Sequence, residues 1–201
     1  MCTVRLNRRQ LFAGTLAAGA ALVTTRSLAQ MYPPPVYPLM CSWSGGGSVG
    51  QGLWPATPVA IHQVRMIAGA IRYHVPLQVF IGGVPNASAT IINGAPAIIY
   101  NANFLDSFFR CHQAAGMTVL AHEVGHHAML DTTWMGQNKH PWDRELGADW
   151  VSGLAMKRLG ATLTDTQSGI ECGMGVFGPP SPSHPDGQRR MLAVTQGWHS
   201  G

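Results

Sequence analysis

Apolar positions recur along this chain with two periods, and the change between them divides it. Val59, His62, Met66, Ala70 and Tyr73 fall at helical spacing behind Pro58, which suits a first turn, so the pattern predicts a helix over 58–73. From Leu77 the period shortens. Leu77, Val79 and Ile81 alternate, Gly82-Gly83 follows as a turn signal, and two further β-like runs, 89–92 and 97–100, flank Asn93-Gly94. These runs predict a small, largely antiparallel sheet. Helical spacing returns over 107–129, with Ala115, Val119, His122 and His126 on one stripe and Met117, Leu120, Ala121 and Val124 on the buried face. A last strong helix is predicted over 141–159, with Pro141 in its first turn and Gly160 beyond its end. Trp142, Glu145, Asp149, Ser152 and Met156 share one stripe of it. The expected class is α+β, mainly helical, with the sheet preceding the helix over 107–129.

The pattern is absent before residue 57. Residues 30–56 hold Pro33-Pro34-Pro35, Pro38, Gly45-Gly46-Gly47 and Gly50, which predict an extended arm packed on the domain through Tyr32, Tyr37, Trp43 and Trp54. Residues 1–29 place Arg8-Arg9 before an apolar run over 11–23, then Ser27-Leu28-Ala29 as a small-x-small cleavage site. That run is too short and too rich in Ala and Gly for a membrane span. It resembles a twin-arginine export signal, the alternative being an ordinary secretory signal. The expected organisation is therefore a signal over 1–29, an arm over 30–56 and a domain over 57–201. The mature protein is expected to be periplasmic or secreted, without a stable membrane anchor.

Charge and cysteines refine this picture. The net charge of +4 comes from 13 basic and nine acidic residues. Four of the basic ones, Arg5, Arg8, Arg9 and Arg26, lie in the expected signal, which leaves a balanced body without the basic footprint of a nucleic-acid binder. Export leaves Cys41, Cys111 and Cys172, hence one disulfide and one odd thiol, or three free thiols. Of the three pairings we expect Cys111–Cys172, which would tie the helix over 107–129 to the C-terminal loops. Cys41 is a further candidate, as a latency ligand for a metal.

Candidate chemistry centres on His122-Glu123-Val124-Gly125-His126. Residues i and i+4 of a helix lie one above the other, so the two imidazoles can converge on one Zn²⁺ while Glu123 serves as general base toward an activated water. Gly125 lets another element approach closely. His127 points about 100° away from His126 and suits a supporting or surface role. His62 and His74 read as isolated surface or core histidines. A third His six residues after His126 would complete one known pattern, but positions 129 and 132 are Met and Thr. The third ligand is then expected from Glu145, with Asp149 one turn later accepting the outer N–H of a ligating His. Gly147, Ala148 and Gly153 would let the two helices close to ligand distance. Otherwise Glu145 is a surface carboxylate paired with Arg144 or Lys139.

H-E-x-x-H followed some twenty residues later by E-x-x-x-D resembles the gluzincin metallopeptidases, most of all those of the M48 type (Ste24/HtpX-like). Ser183-His184-Pro185 followed by Arg189 and Arg190 is similar to the late Ser/Thr-His-Pro…Arg segment of that type. The resemblance covers 104–197. It implies a zincin-like fold, one zinc ion, hydrolysis of peptide or protein substrates, His184 as a transition-state hydrogen-bond donor and Arg189 as an organiser of the site. Read from the residues alone, Ser183 or His184 caps a helix, Pro185 opens it and Asp186 suits its positive end. Typical M48 members carry transmembrane helices or longer helical insertions, and this chain shows neither, so membrane-protein quality control and prenyl-protein processing are not carried over. Two alternatives stand beside the peptidase: a non-catalytic exported module whose zinc is structural or whose groove only binds peptide, and a zinc amidase acting on cell-wall peptides.

Overall fold

The computed structural model describes residues 41–42, 52–173, 175–176 and 178–201. The expected signal, and Tyr32, Tyr37 and Trp43 of the expected arm, lie outside the described residues. Two pieces of that arm are strands: β1 (Cys41–Ser42) and β2 (Leu53–Pro55). Trp54 packs against the core, as the arm was expected to do.

Helix α1 (Pro58–Ala70) starts where Thr57 Oγ1 accepts the Ala60 N–H and proline takes the first turn. Strands β3 (Gln78–Gly82), β4 (Ala87–Ile92) and β5 (Ala95–Tyr100) follow. Asn93 and Gly94 both have positive φ, 49° and 78°, which suits the two-residue turn that joins β4 to β5. The sheet order is β1-β4-β5-β3-β2. Three pairs are antiparallel, and β3 with β5 is parallel. Since β4 and β3 flank it, β5 is an interior strand. The run 97–100 is therefore a core strand with no edge free for strand addition, and Ala97, Ile98, Ile99 and Tyr100 are all buried. The edge strands are β1 and β2, and on the side away from β5 strand β4 pairs, among the described residues, with Cys41 and Ser42 alone, opposite Ala89 and Ser88.

The helix expected over 107–129 is two helices. Helix α2 (Ala102–Cys111) ends at His112, whose extended backbone (φ −152°) breaks the run, and α3 (Ala115–Ala128) begins three residues later. The His112 imidazole accepts the Ala114 N–H at the break. Cys111 thus belongs to α2, and its disulfide to Cys172 ties α2 to α6 (Leu163–Gly173) rather than anchoring the motif helix. The pairing itself is the expected one. Closing a 61-residue separation restricts the unfolded chain by about 4 kcal/mol on the chain-entropy model. Replacing both cysteines with Ser should lower the thermal midpoint, read by calorimetry, and reductant should lower the parent's midpoint but not the variant's.

Helix α6 was not expected from periodicity. Its start is a reciprocal cap, in which Asp165 accepts the Thr162 N–H and Thr162 Oγ1 accepts the Asp165 N–H. The short helix α4 (Trp134–Gln137), then α5 (Pro141–Arg158) and α7 (Gly187–His199), complete the domain. Helix α7 starts two residues later than expected because Asp186, whose carboxylate accepts the Arg189 N–H, is its cap instead of Ser183 or His184.

Helix α3 is the centre of the molecule, buried from Ala115 to His127. Val64, Ile67, Ile98, Tyr100, Leu105, Met156 and Ile170 share one hydrophobic core with its apolar residues. The α3–α5 approach occurs at Gly125, where a Cβ would lie 2.8 Å from the Ala148 carbonyl oxygen. Ser152 Oγ, donating to the Thr118 carbonyl (3.0 Å), clasps the same pair two turns away. Gly153, expected at this crossing, serves α7 instead, since a Cβ there would meet the Val194 carbonyl. Among the described residues no helix is long and apolar enough to cross a membrane.

Candidate metal centre

One turn of α3 carries His122 and His126, and α5 carries Glu145 and Asp149 opposite them. The Nε2 atoms of His122 and His126 face each other at 3.0 Å, and Glu145 lies 3.3 Å from the first and 3.5 Å from the second. Three ligands around a tetrahedral ion with bonds of about 2.0–2.1 Å stand roughly 3.3 Å apart, so the spacing is that of a zinc site. His122, His126 and Glu145 form the one group of metal-ligating side chains of this kind among the described residues.

The outer nitrogens set the tautomers. His122 Nδ1 donates to Asp149 Oδ1 (2.8 Å) and His126 Nδ1 donates to Asp131 Oδ2 (3.1 Å). Each ring then turns its Nε2 lone pair toward Glu145, an arrangement that a cation satisfies. The electrostatics agree. Burial works against ionisation at every group, yet the His122 hydrogen bond, His126 and Arg190 hold Glu145 down to about 2, and Arg190 and His122 do the same for Asp149. Burial likewise lowers the His122 pKa, but Asp149 and Glu145 outweigh it and bring it up to about 9. A cluster that holds two carboxylates ionised in a dry interior and draws a proton onto a buried imidazole is built to hold positive charge. Zinc fits the residues present.

Glu123 is fully buried beside this cluster, and neither of its carboxylate oxygens makes a hydrogen bond. Burial raises its pKa above the usual carboxylate range, opposed by His122 and His126 and, to a smaller degree, by the backbone N–H of Ala89 on β4. A purely structural carboxylate is not left this way in a core.

The structure brings His184 to the cluster as well. Its Nε2 is 3.3 Å from Glu145 Oε2, and its Nδ1 pairs with Ser183 Oγ at 2.9 Å. Arg189 is not brought there. It lies on the surface, 3.4 Å from Asp186, with its guanidinium over Trp142. Its neighbour Arg190 is the buried one, donating from Nε and Nη2 to the two oxygens of Asp149, both at 2.8 Å, with Nη2 3.8 Å from Glu145. Adjacent helix positions differ by about 100°, so only one of the pair can face inward. The buried run Gly187, Arg190, Val194 and Gly197 was the signal that selects Arg190. Asp131 was also not foreseen, because it follows α3 instead of lying on a stripe. His127, expected in a supporting or surface role, is buried and joins α3 to the sheet through the Ala97 carbonyl (3.0 Å) and to Thr132 Oγ1. Burial, which outweighs the Ala97 carbonyl, lowers its pKa to about 4 and keeps it neutral. His62 and His74 are exposed. Glu145 is buried and Lys139 pairs with Asp131, so Glu145 is not the surface carboxylate of the alternative reading.

Comparison of the chain with protein-family models, curated proteins and solved structures finds no match. Its class rests on the arrangement itself: His122, Glu123 and His126 on one helix, with Glu145 from a second, form a gluzincin-type zinc-metallopeptidase site.

Proposed function

We propose that this chain is an exported zinc endopeptidase of M48-like character, acting on peptide or protein substrates in the periplasm or outside the cell. The observation that carries the reading is Glu123, a dry carboxylate without a hydrogen bond beside the three ligands, which a structural zinc site does not need. His122, His126 and Glu145 would hold the ion, and Asp149 and Asp131 would orient the two imidazoles. Zinc bound there supplies a Lewis acid that polarises a carbonyl and makes water a nucleophile near neutral pH. Glu123 takes the proton of the attacking water on a carboxylate oxygen and passes it to the departing amine, a task its raised pKa suits. His184, held by Ser183, donates a hydrogen bond to the oxygen that gains charge.

His184→Ala should lower kcat on casein by about 10²-fold with zinc content unchanged, in line with loss of one oxyanion donor. Steady-state kinetics with metal analysis checks it, and an unchanged kcat removes His184 from the mechanism. For the substrate class, casein and a peptide library should be cleaved while cell-wall fragments are not. Cleavage confined to cell-wall amides would make the protein an amidase.

A further inference from the structure

Each ligating imidazole has a carboxylate behind it, and each carboxylate has a cation behind that. The two series differ in where they end. Behind His122 stand Asp149 and the fully buried Arg190, which grips both carboxylate oxygens from α7. Behind His126 stands Asp131, whose other oxygen accepts from Lys139 Nζ at 2.7 Å. The Asp131 side chain is 0% exposed and that of Lys139 32%, so this series runs from the ligand to the surface.

The connection from α3 to α5 is folded around that one carboxylate. Leu130 takes a left-handed conformation (φ 61°), which turns the chain back so that the Asp131 N–H bonds the His126 carbonyl (2.8 Å). Gly136 packs on the Asp131 backbone so closely that a Cβ would fall 2.4 Å from its Cα. Lys139 then closes the loop, since the same Nζ also donates to the Met129 carbonyl (2.6 Å) at the end of α3. An exposed ion pair contributes little, but this one has a buried acceptor that is itself bonded to a ligand.

We propose that Lys139 is a positioning residue of the metal centre, which acts through Asp131 to fix the tautomer and ring orientation of His126. The inference rests on the zinc reading of His122, His126 and Glu145. A merely structural role, as a cap on α3, would affect stability and leave the metal unaffected.

The test uses the full protein, with zinc affinity read by chelator competition and the ligand field read by the visible spectrum of the Co²⁺-substituted form. Lys139→Met should weaken zinc binding by about 10-fold and Asp131→Asn by about 10–100-fold, the range for partners of a ligating His. Both should alter the Co²⁺ spectrum. Because Lys139 acts through Asp131, the double variant should bind zinc no more weakly than Asp131→Asn alone. Arg158→Met is the control, because Arg158 also donates to a helix-end carbonyl, that of Ala70, but has no link to the site. It should leave affinity and spectrum unchanged. A Lys139→Met protein with parental zinc affinity and Co²⁺ spectrum overturns this inference alone, as does simple additivity in the double variant. A parent that takes up no zinc overturns the metal reading with it.

Discussion

Glu123→Gln should yield a folded protein that binds zinc as the parent does and hydrolyses casein slower by on the order of 10²–10⁴-fold. The amide keeps the side chain's shape but cannot take up a proton. Nor should the fold suffer, because burial already disfavours the charged form of Glu123 and neither of its oxygens has a hydrogen bond to lose. The thermal midpoint should therefore match or exceed the parent's. That combination separates a general base from a packing residue, whose replacement would change stability before rate. Full hydrolysis by a zinc-loaded Glu123→Gln protein would remove the mechanism.

The second large effect concerns metal content. Glu145→Ala should weaken zinc binding by at least about 100-fold, beyond what partners of a ligand usually cost. Two imidazoles on adjacent turns remain, but the carboxylate that faces both at 3.3 and 3.5 Å is gone. The neighbouring carboxylates cannot take its place, since Asp149 is held by Arg190 and Asp131 by Lys139. Metal analysis after dialysis checks this. An unchanged zinc content would move the third ligand elsewhere.

What could be read from the residues follows from what each part of the site depends on. His122, Glu123 and His126 depend on one helix and its period, which local sequence records directly. Glu145 and Asp149 depend on a second helix whose stripe is equally legible, and Pro141 and Gly160 mark its ends. The disulfide was open to a bet because only three pairings existed. Failures arose where tertiary packing chose among local possibilities. The break at His112 left apolar spacing intact across two helices, so periodicity ran through it. The interior position of β5 comes from its parallel pairing with β3, which no hairpin signal announces. Arg190 rather than Arg189 faces the site because Asp186 caps α7 and sets its rotation. Asp131 reaches His126 only through the left-handed Leu130, a backbone state rare for such a residue.

The proposed function requires this cluster to hold zinc and to hydrolyse peptides with it. The most direct measurement is casein hydrolysis by the purified protein as zinc is removed with a chelator and titrated back. Activity should vanish on removal and return in proportion to bound zinc, reaching its plateau at one ion per chain, the number that His122, His126 and Glu145 can hold. Hydrolysis that persists in the zinc-free protein, or its absence from a protein carrying one zinc per chain, would contradict the account.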